Sequence, residues 1–301
     1  MFNTENMLYR GACTEMPTSF KENGDIDHEN IARCVEFQAQ SGVTALFVNG
    51  FGSESLLMSV EERAQVVKTF VDAADKRLPV LANLMSNSLE EAHKVIEGYE
   101  KAGVTAISIG QPAVYEYTQD AIYDFYKELI TSTKLPIYLY NSPESGNEMS
   151  PELSAALIND FSNVKGYKDG TQKIIHLQEV MRRVKKPDIE YVAGSDGTTL
   201  ATLLLGGCGV ISFITVVFPK PVIEMCEAYF AGDVAKAREK QFEILQIRKI
   251  LKSAADICGY RYASELIGHP FSGTRMPKKM TVITEEEKEA IKRGLKELGL
   301  I

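Results

Sequence analysis

The stretch that indicates the fold reads Val164-Lys165-Gly166-Tyr167-Lys168-Asp169-Gly170. It is a short apolar run that ends at a lysine and is followed by a glycine turn, which predicts a brief β-strand entering a loop. Comparable runs recur along the chain at intervals of roughly 20 to 35 residues. The eight predicted strands cover residues 11–17, 45–48, 80–84, 106–109, 137–141, 164–168, 191–193 and 209–213.

Helical patterns separate these strands, and their ends carry recognisable signals. Ser59, followed by Glu62, forms a capping signature for the helix that begins at residue 60. The predicted helices cover residues 28–41, 60–74, 88–102, 120–133, 150–161, 173–184 and 198–205. Glycines that end predicted helices stand at Gly42, Gly103 and Gly206.

The alternation of strand and helix predicts an α/β fold, and eight strands favour a (β/α)8 TIM barrel. A doubly wound open sheet is the alternative, and it usually shows a G-x-G-x-x-G turn after its first strand. Residues 17–24, Pro-Thr-Ser-Phe-Lys-Glu-Asn-Gly, do not match that motif. We therefore expect a barrel over residues 1–220. Residues 221–301 should form a C-terminal helical extension packed on the barrel, not an independent domain, with helices over residues 221–231, 234–258 and 285–298.

The composition argues against several classes of protein. The 301 residues are 45% hydrophobic and 25% charged, as in ordinary globular proteins, and the net charge of −8 argues against a nucleic-acid partner. Five cysteines without a C-x-x-C pair indicate reduced thiols, and four scattered histidines argue against a metal site. The first residues resemble no signal peptide, and no apolar run reaches about 18 residues. We expect a cytoplasmic protein that does not span a membrane.

Lys168 is the first candidate for chemistry, because active sites of such barrels lie where the strands end. Lysine is uncommon in strands and normally stays in solvent. We expect burial to lower the pKa of this amine, so that the neutral form can attack a ketone and form a Schiff base. Tyr140 ends the preceding strand, within expected reach, and its phenol can act as a general acid and base. The simpler alternatives are a surface lysine and a core aromatic residue.

The turn at residues 49–55, Asn-Gly-Phe-Gly-Ser-Glu-Ser, is a candidate anion site. Gly50 and Gly52 let backbone N–H groups approach an anion, and the hydroxyls of Ser53 and Ser55 are further donors. A substrate carboxylate would suit this turn, although an ordinary capped βα turn is the simpler interpretation. After the seventh strand, Asp196 can supply another polar contact or cap the helix predicted from residue 198.

Five motifs together make the chain resemble the dihydrodipicolinate synthase/N-acetylneuraminate lyase family, from Gly11 to about Pro277. They are Y-N-x-P at 140–143, G-x-K-D at 166–169, G-S-D at 194–196, G-V-I-S at 209–212 and G-T-R-M-P at 273–277. The resemblance implies a (β/α)8 barrel and a lysine Schiff base with pyruvate or a related 2-oxo acid, without a separate cofactor. It also implies aldol-type cleavage, condensation or dehydration, and a homotetramer.

The resemblance also implies roles for individual residues. Lys168 corresponds to the Schiff-base lysine and Tyr140 to the catalytic tyrosine. The turn from Gly50 to Ser53 corresponds to the carboxylate-binding turn. Ile211 lies where the family contacts pyruvate through the backbone.

Three departures from the family pattern bear on the substrate. Phe51 and Gly52 replace the hydroxyl pair of the turn, so the usual relay threonine is missing unless Ser53 takes its place. Val114 stands in place of a tyrosine that crosses to the neighbouring subunit. Ser145 stands where lysine-biosynthetic synthases carry an arginine for a second carboxylate, and without a cation a dianionic partner would be held poorly.

These departures favour a member outside the lysine-biosynthetic branch. We expect a Schiff-base lyase that takes pyruvate and a less anionic, hydroxylated or aromatic aldehyde, or that cleaves a 2-keto-3-deoxy sugar acid, with Phe51 as an apolar wall. Two alternatives stay open: a 4-hydroxy-tetrahydrodipicolinate synthase with a divergent site, and a keto-acid-binding member with weakened catalysis. An unrelated phosphate-binding barrel is disfavoured, because residues 212–218 are apolar and lack a glycine-rich loop.

Overall fold

The computed structural model describes residues 7–255, 257–271 and 273–301, and its strands form a closed parallel barrel in the order β1 to β8. The strands are β1 (Gly11–Glu15), β2 (Ala45–Val48), β3 (Val80–Leu84), β4 (Ala106–Gly110), β5 (Ile137–Asn141), β6 (Val164–Asp169), β7 (Glu190–Ala193) and β8 (Gly209–Ser212). The predicted TIM barrel is therefore confirmed. Residues 1–6, part of the stretch in which we expect no signal peptide, lie outside the described residues.

Helices alternate with the strands and continue beyond β8. They are α1 (His28–Ser41), α2 (Val60–Ala74), α3 (Leu89–Ala102), α4 (Gln119–Thr131), α5 (Pro151–Asp160), α6 (Ile174–Arg183), α7 (Thr199–Leu204), α8 (Pro219–Phe230), α9 (Val234–Leu251), α10 (Cys258–Leu266) and α11 (Glu285–Glu297). None of the helices within the described residues has the length and apolar character needed to cross a membrane.

The predicted helix signals act as expected at three places. Ser59 and Glu62 form a complete capping box at the start of α2, in which each side chain binds the other residue's backbone N–H. Gly42 and Gly103 follow α1 and α3 with φ of 86° and 84°, a left-handed conformation that favours glycine. These signals explain why the predicted bounds of α1 and α2 agree with the structure.

The single helix expected over residues 234–258 is wrong, because α9 ends at Leu251 and α10 begins at Cys258. The Ser253 hydroxyl donates to the carbonyl of Ile250 (2.7 Å), a local bond that competes with helix continuation. The chain then returns so closely that Gly259 packs directly against the backbone of Leu251, where a side chain would collide with it.

The C-terminal helices share a core with the last part of the barrel. Val210 of β8, Met225 of α8, Ile247 of α9 and Leu295 of α11 belong to one cluster of buried apolar side chains. Burial of this shared surface is what holds the extension on the barrel. The division of the chain at residue 220 stays a prediction.

The segment near residue 275 contacts the turn that follows β2. Glu54 accepts hydrogen bonds from the Thr274 hydroxyl (2.8 Å) and the Arg275 N–H (2.7 Å). The Arg275 guanidinium binds both oxygens of Glu62 at 2.5 and 2.7 Å, and this contact lowers the pKa of Glu62 to about 2. The C-terminal segment thereby fixes the position of a turn that faces the barrel mouth.

Candidate active site

Lys168 lies inside the barrel, at the level where the strands end. β5 and β6 pair so that Tyr140 and Lys168 are register partners. The Lys168 side chain is fully buried, and its Nζ lies 3.9 Å from the ring centroid of Phe47 and 3.9 Å from that of Tyr140. Two aromatic faces therefore contact the amine and favour its cationic form.

Glu15, at the end of β1, is the closest charged group to this amine. Its Oε2 accepts a hydrogen bond from Lys168 Nζ at 3.2 Å. Burial lowers the pKa of Lys168, but the Glu15 carboxylate and, less strongly, Tyr140 and Cys13 raise it, and the pKa lies above its usual value. The amine is desolvated as expected. The expectation of a lowered pKa is wrong, because Glu15, Tyr140 and Cys13 together raise the pKa by more than burial lowers it.

The glycines of the turn after β2 are required by close packing. The Gly52 N–H donates to Glu15 Oε1 at 3.3 Å. A Cβ at Gly50 would lie 2.5 Å from that oxygen, and one at Gly52 would overlap the ring of Phe213. We expect this turn to bind the carboxylate of a substrate. In the structure it binds the carboxylate of Glu15.

The two serine hydroxyls of this turn are used within it. Ser53 Oγ donates to the Gly50 carbonyl at 2.7 Å, and Ser55 Oγ donates to the same carbonyl at 3.4 Å. Ser53 is buried. The proton of its hydroxyl is thus used within the turn.

Tyr140 is buried between aromatic rings and a chain of polar groups. Phe51 contacts it edge-on, with ring centroids 6.2 Å apart and an interplanar angle of 72°. Burial raises the pKa of Tyr140 above its usual value, although Lys168 opposes this. Ser142 lowers the pKa of Tyr140, and Ser142 Oγ donates to Glu144 Oε2 at 2.6 Å. Because Glu144 is exposed, these two residues lead from Tyr140 towards solvent.

Ser145 supports the loop after β5. It is buried, its Oγ donates to the Ser142 carbonyl at 2.9 Å, and the same oxygen accepts from the Asn147 N–H at 3.1 Å. Its carbonyl accepts the N–H of Val114 at 3.1 Å. Val114 is 86% exposed with φ of 74°, an uncommon conformation for a β-branched residue. Two of the three predicted departures from the family pattern, Val114 and Ser145, therefore lie side by side.

Asp196 does not cap a helix, so that alternative is wrong. Ser195 caps the following turn instead, by accepting from the Gly197 N–H. The Asp196 carboxylate is buried, and burial raises its pKa to about 6, although Ser212, Arg248 and Ile214 lower it. It therefore lies against the end of β8.

Ile211 belongs to the side chains that fill the barrel interior. It pairs with Cys13 across β1 and β8 and shares a buried cluster with Phe47 and Tyr140. The structure thus gathers Lys168, Tyr140, Ile211 and the Gly50–Ser53 turn around one point. Within the described part of the chain, no group of three or more His, Cys, Asp or Glu side chains could hold a metal ion.

Sequence reasoning missed three residues at this point, namely Glu15, Phe47 and Ser142. A signal for Glu15 was present, because an acidic residue interrupts the apolar run of the first predicted strand. Phe47 gave no comparable signal, since a phenylalanine in a strand is ordinary.

Comparisons with known proteins agree with this geometry. The family model described as the dihydrodipicolinate synthetase family matches residues 8–298. The 4-hydroxy-tetrahydrodipicolinate synthase of Thermotoga petrophila is 31% identical over 297 residues, which cover 98% of this chain and 100% of the relative.

Two solved structures are similar over almost their whole length. A monomeric dihydrodipicolinate synthase variant has a TM-score of 0.91 at 31% identity and covers 98% of each chain. YagE, a prophage protein of E. coli K12 solved in complex with pyruvate, has a TM-score of 0.92 at 28% identity and covers 98% of this chain and 100% of its own. The chain therefore belongs to the dihydrodipicolinate synthetase family and is an enzyme of the class I, pyruvate-dependent aldolase type.

Proposed function

We propose that this protein is a lyase that forms a Schiff base between Lys168 and the carbonyl carbon of a small 2-oxo acid. The observation that carries the proposal is the fully buried Lys168 amine, 3.9 Å from the ring centroid of Tyr140, the candidate acid and base. The carbonyl substrate is pyruvate with an aldehyde partner, or a 2-keto-3-deoxy sugar acid in the cleavage direction. No separate cofactor takes part, because the imine itself is the electron sink.

The chain's own residues have distinct parts in this reaction. The Lys168 amine loses a proton, adds to the carbonyl carbon and forms the imine as water leaves. Tyr140 gives a proton to the oxygen that leaves as water, or to the aldehyde oxygen during bond formation, and takes one back during cleavage. Ser142 and Glu144 extend from Tyr140 to solvent and provide the route by which that proton is replaced.

An uncharged partner suits this site better than an aldehyde with its own carboxylate. Ser145 offers no cation, and its hydroxyl already has a donor and an acceptor partner. Arg275 binds Glu62, and Lys173 binds Glu148 at 2.6 Å, so both of these cations are paired elsewhere. A hydroxylated or aromatic aldehyde therefore fits, with Phe51 against Tyr140 as its apolar wall. We therefore propose an enzyme outside the lysine-biosynthetic branch.

The second candidate is a 4-hydroxy-tetrahydrodipicolinate synthase with a divergent site. The curated relatives that carry this name support it. A third candidate, a keto-acid-binding protein with weakened catalysis, is disfavoured because the chain keeps both Lys168 and Tyr140.

Borohydride trapping tests the proposal. The protein is incubated with pyruvate, reduced and digested, and the adduct is mapped by mass spectrometry. We expect one adduct, on Lys168, and none in a folded Lys168→Ala variant. An adduct on another lysine would overturn the assignment of Lys168. A second assay, in which pyruvate is combined with sugar aldehydes or with aspartate semialdehyde, separates the two lyase candidates.

We also propose a cytoplasmic homotetramer, as the family resemblance implies. The neighbouring residues Val114 and Tyr115 are 86% and 65% exposed to solvent, and an oligomer would cover them. The monomeric variant among the similar structures indicates that this fold does not require a tetramer. Sedimentation velocity of the purified protein measures the state directly.

A further inference from the structure

The Lys168 amine must lose a proton before it can attack a carbonyl carbon, because an ammonium group has no lone pair. The Lys168 side chain is fully buried, so bulk water does not reach its Nζ to take that proton. A side chain in direct contact with the amine is therefore the natural acceptor, since proton transfer needs a partner within hydrogen-bond distance.

Three ionisable side chains raise the pKa of Lys168, namely Glu15, Tyr140 and Cys13. Burial raises the pKa of Tyr140 and of Cys13 above their usual values, so the phenol and the thiol keep their protons at neutral pH. A glutamate carboxyl is ordinarily ionised at neutral pH. Glu15 is thus the one member of this group that can accept a proton, and its Oε2 already accepts a hydrogen bond from Lys168 Nζ at 3.2 Å.

The turn after β2 holds this carboxylate in place from its other side. The Gly52 N–H donates to Glu15 Oε1 at 3.3 Å. A Cβ at Gly50 would lie 2.5 Å from the same oxygen, so the missing side chain makes room for the carboxylate. One oxygen of Glu15 is therefore bound by the turn while the other contacts the amine.

We propose, on the basis of the Schiff base proposed above, that Glu15 is a catalytic residue that carries a proton from Nζ of Lys168 to the oxygen that leaves as water. The proton first passes from Nζ to Oε2, which gives a neutral amine and a neutral carboxylic acid. The amine adds to the carbonyl carbon, and Tyr140 donates its proton to the carbonyl oxygen. The phenolate then takes a second proton from the nitrogen, and a neutral carbinolamine results.

The breakdown of the carbinolamine returns the first proton. Its hydroxyl is attached to the carbon bonded to Nζ, so a carboxyl group in contact with Nζ can reach it. Glu15 donates its proton to this hydroxyl, the C–O bond breaks, water leaves, and the nitrogen lone pair forms the C=N bond. Two ammonium protons have then moved to oxygen, one through Glu15 and one through Tyr140. A protonated imine remains beside the Glu15 carboxylate, and both residues are back in their starting states.

Exchange of the carbonyl oxygen of pyruvate measures this step directly. Pyruvate labelled with heavy oxygen at its carbonyl group loses the label to water in each cycle of imine formation and hydrolysis, and mass spectrometry follows the loss beyond the spontaneous rate. We expect Glu15→Gln to lower the exchange rate by about 10²–10⁴ at neutral pH, the usual contribution of a proton-transfer group. If Glu15 merely stabilised the ammonium, its removal would favour the neutral amine, and exchange would stay equal or become faster.

Rescue by formate separates proton transfer from a structural role. Glu15→Ala leaves a space that a small free carboxylate can fill, so added formate should raise its exchange rate at least about tenfold. Glu15→Gln, in which an amide fills that space, should not respond. A slow Glu15→Ala variant that formate does not accelerate would overturn the proposal, because Glu15 would then act by shaping the turn. Exchange within about threefold of wild type in the folded variants would overturn it as well.

Two controls keep the outcomes distinct. Glu116→Gln removes an exposed carboxylate from the loop after β4 and should exchange oxygen at the wild-type rate. Lys168→Ala should abolish both the exchange and the borohydride-trapped adduct; if they persist there, the proposed Schiff base fails, not the role of Glu15. Circular dichroism shows which variants are folded. If Glu15→Gln does not fold, Glu15→Ala with and without formate decides alone.

Discussion

Replacing Gly52 with alanine should destabilise the protein by crowding the turn against Phe213. The added Cβ would overlap Cε2 of the Phe213 ring and lie 3.0 and 3.1 Å from two further ring atoms. The ring has little room to retreat, because it packs edge-on against Tyr260 and Phe271 with centroids 4.9 and 6.3 Å away. Overpacking of this kind typically costs about 1–3 kcal/mol.

Urea denaturation at equilibrium measures this change as a shift of the midpoint at constant slope. Gly197→Ala is the matched control, because its added Cβ would meet nothing closer than 3.7 Å and its φ lies outside the left-handed region. We expect that control to stay within about 1 kcal/mol of wild type. If Gly52→Ala unfolds at the same urea concentration as wild type, contact with Phe213 is not the reason for glycine at this position.

Three further predictions concern the reaction and its pH dependence. Tyr140→Phe should lower turnover by about 10²–10⁴, the usual contribution of a positioned proton donor; near-normal steady-state turnover would show that protons travel by another route. Because Ser145 offers no cation, kcat/KM for aspartate semialdehyde should be at least about 10²-fold below that for the best uncharged aldehyde. If a coupled assay shows that aspartate semialdehyde is the best partner, this prediction is wrong. The pKa of Asp196 is raised from 3.8 to about 6, so its contribution to stability is complete below about pH 4 and is lost as the pH rises through 6. Asp196→Asn removes this pH dependence. The difference in unfolding free energy between wild type and this variant should therefore fall by about 3 kcal/mol between pH 4 and 7. Urea titrations of both proteins at both pH values measure this difference.

The sequence by itself determined the barrel and the lysine at its mouth. Strand and helix signals are local, since they depend on the alternation of apolar residues and on caps such as Ser59 with Glu62. Eight such repeats leave few ways to bury every strand, and closure into a barrel is the common one. Lys168 and Tyr140 followed from their place at adjacent strand ends.

Only the tertiary structure decided which charged group contacts that lysine. Glu15 and Lys168 are 153 positions apart, and they meet because closure pairs β1 with β8 and directs both side chains into one interior. The direction of the pKa shift depends on whether burial or the combined effect of Glu15, Tyr140 and Cys13 is larger. Local sequence around residue 168 predicts the burial but contains no information about a carboxylate contributed by the first strand.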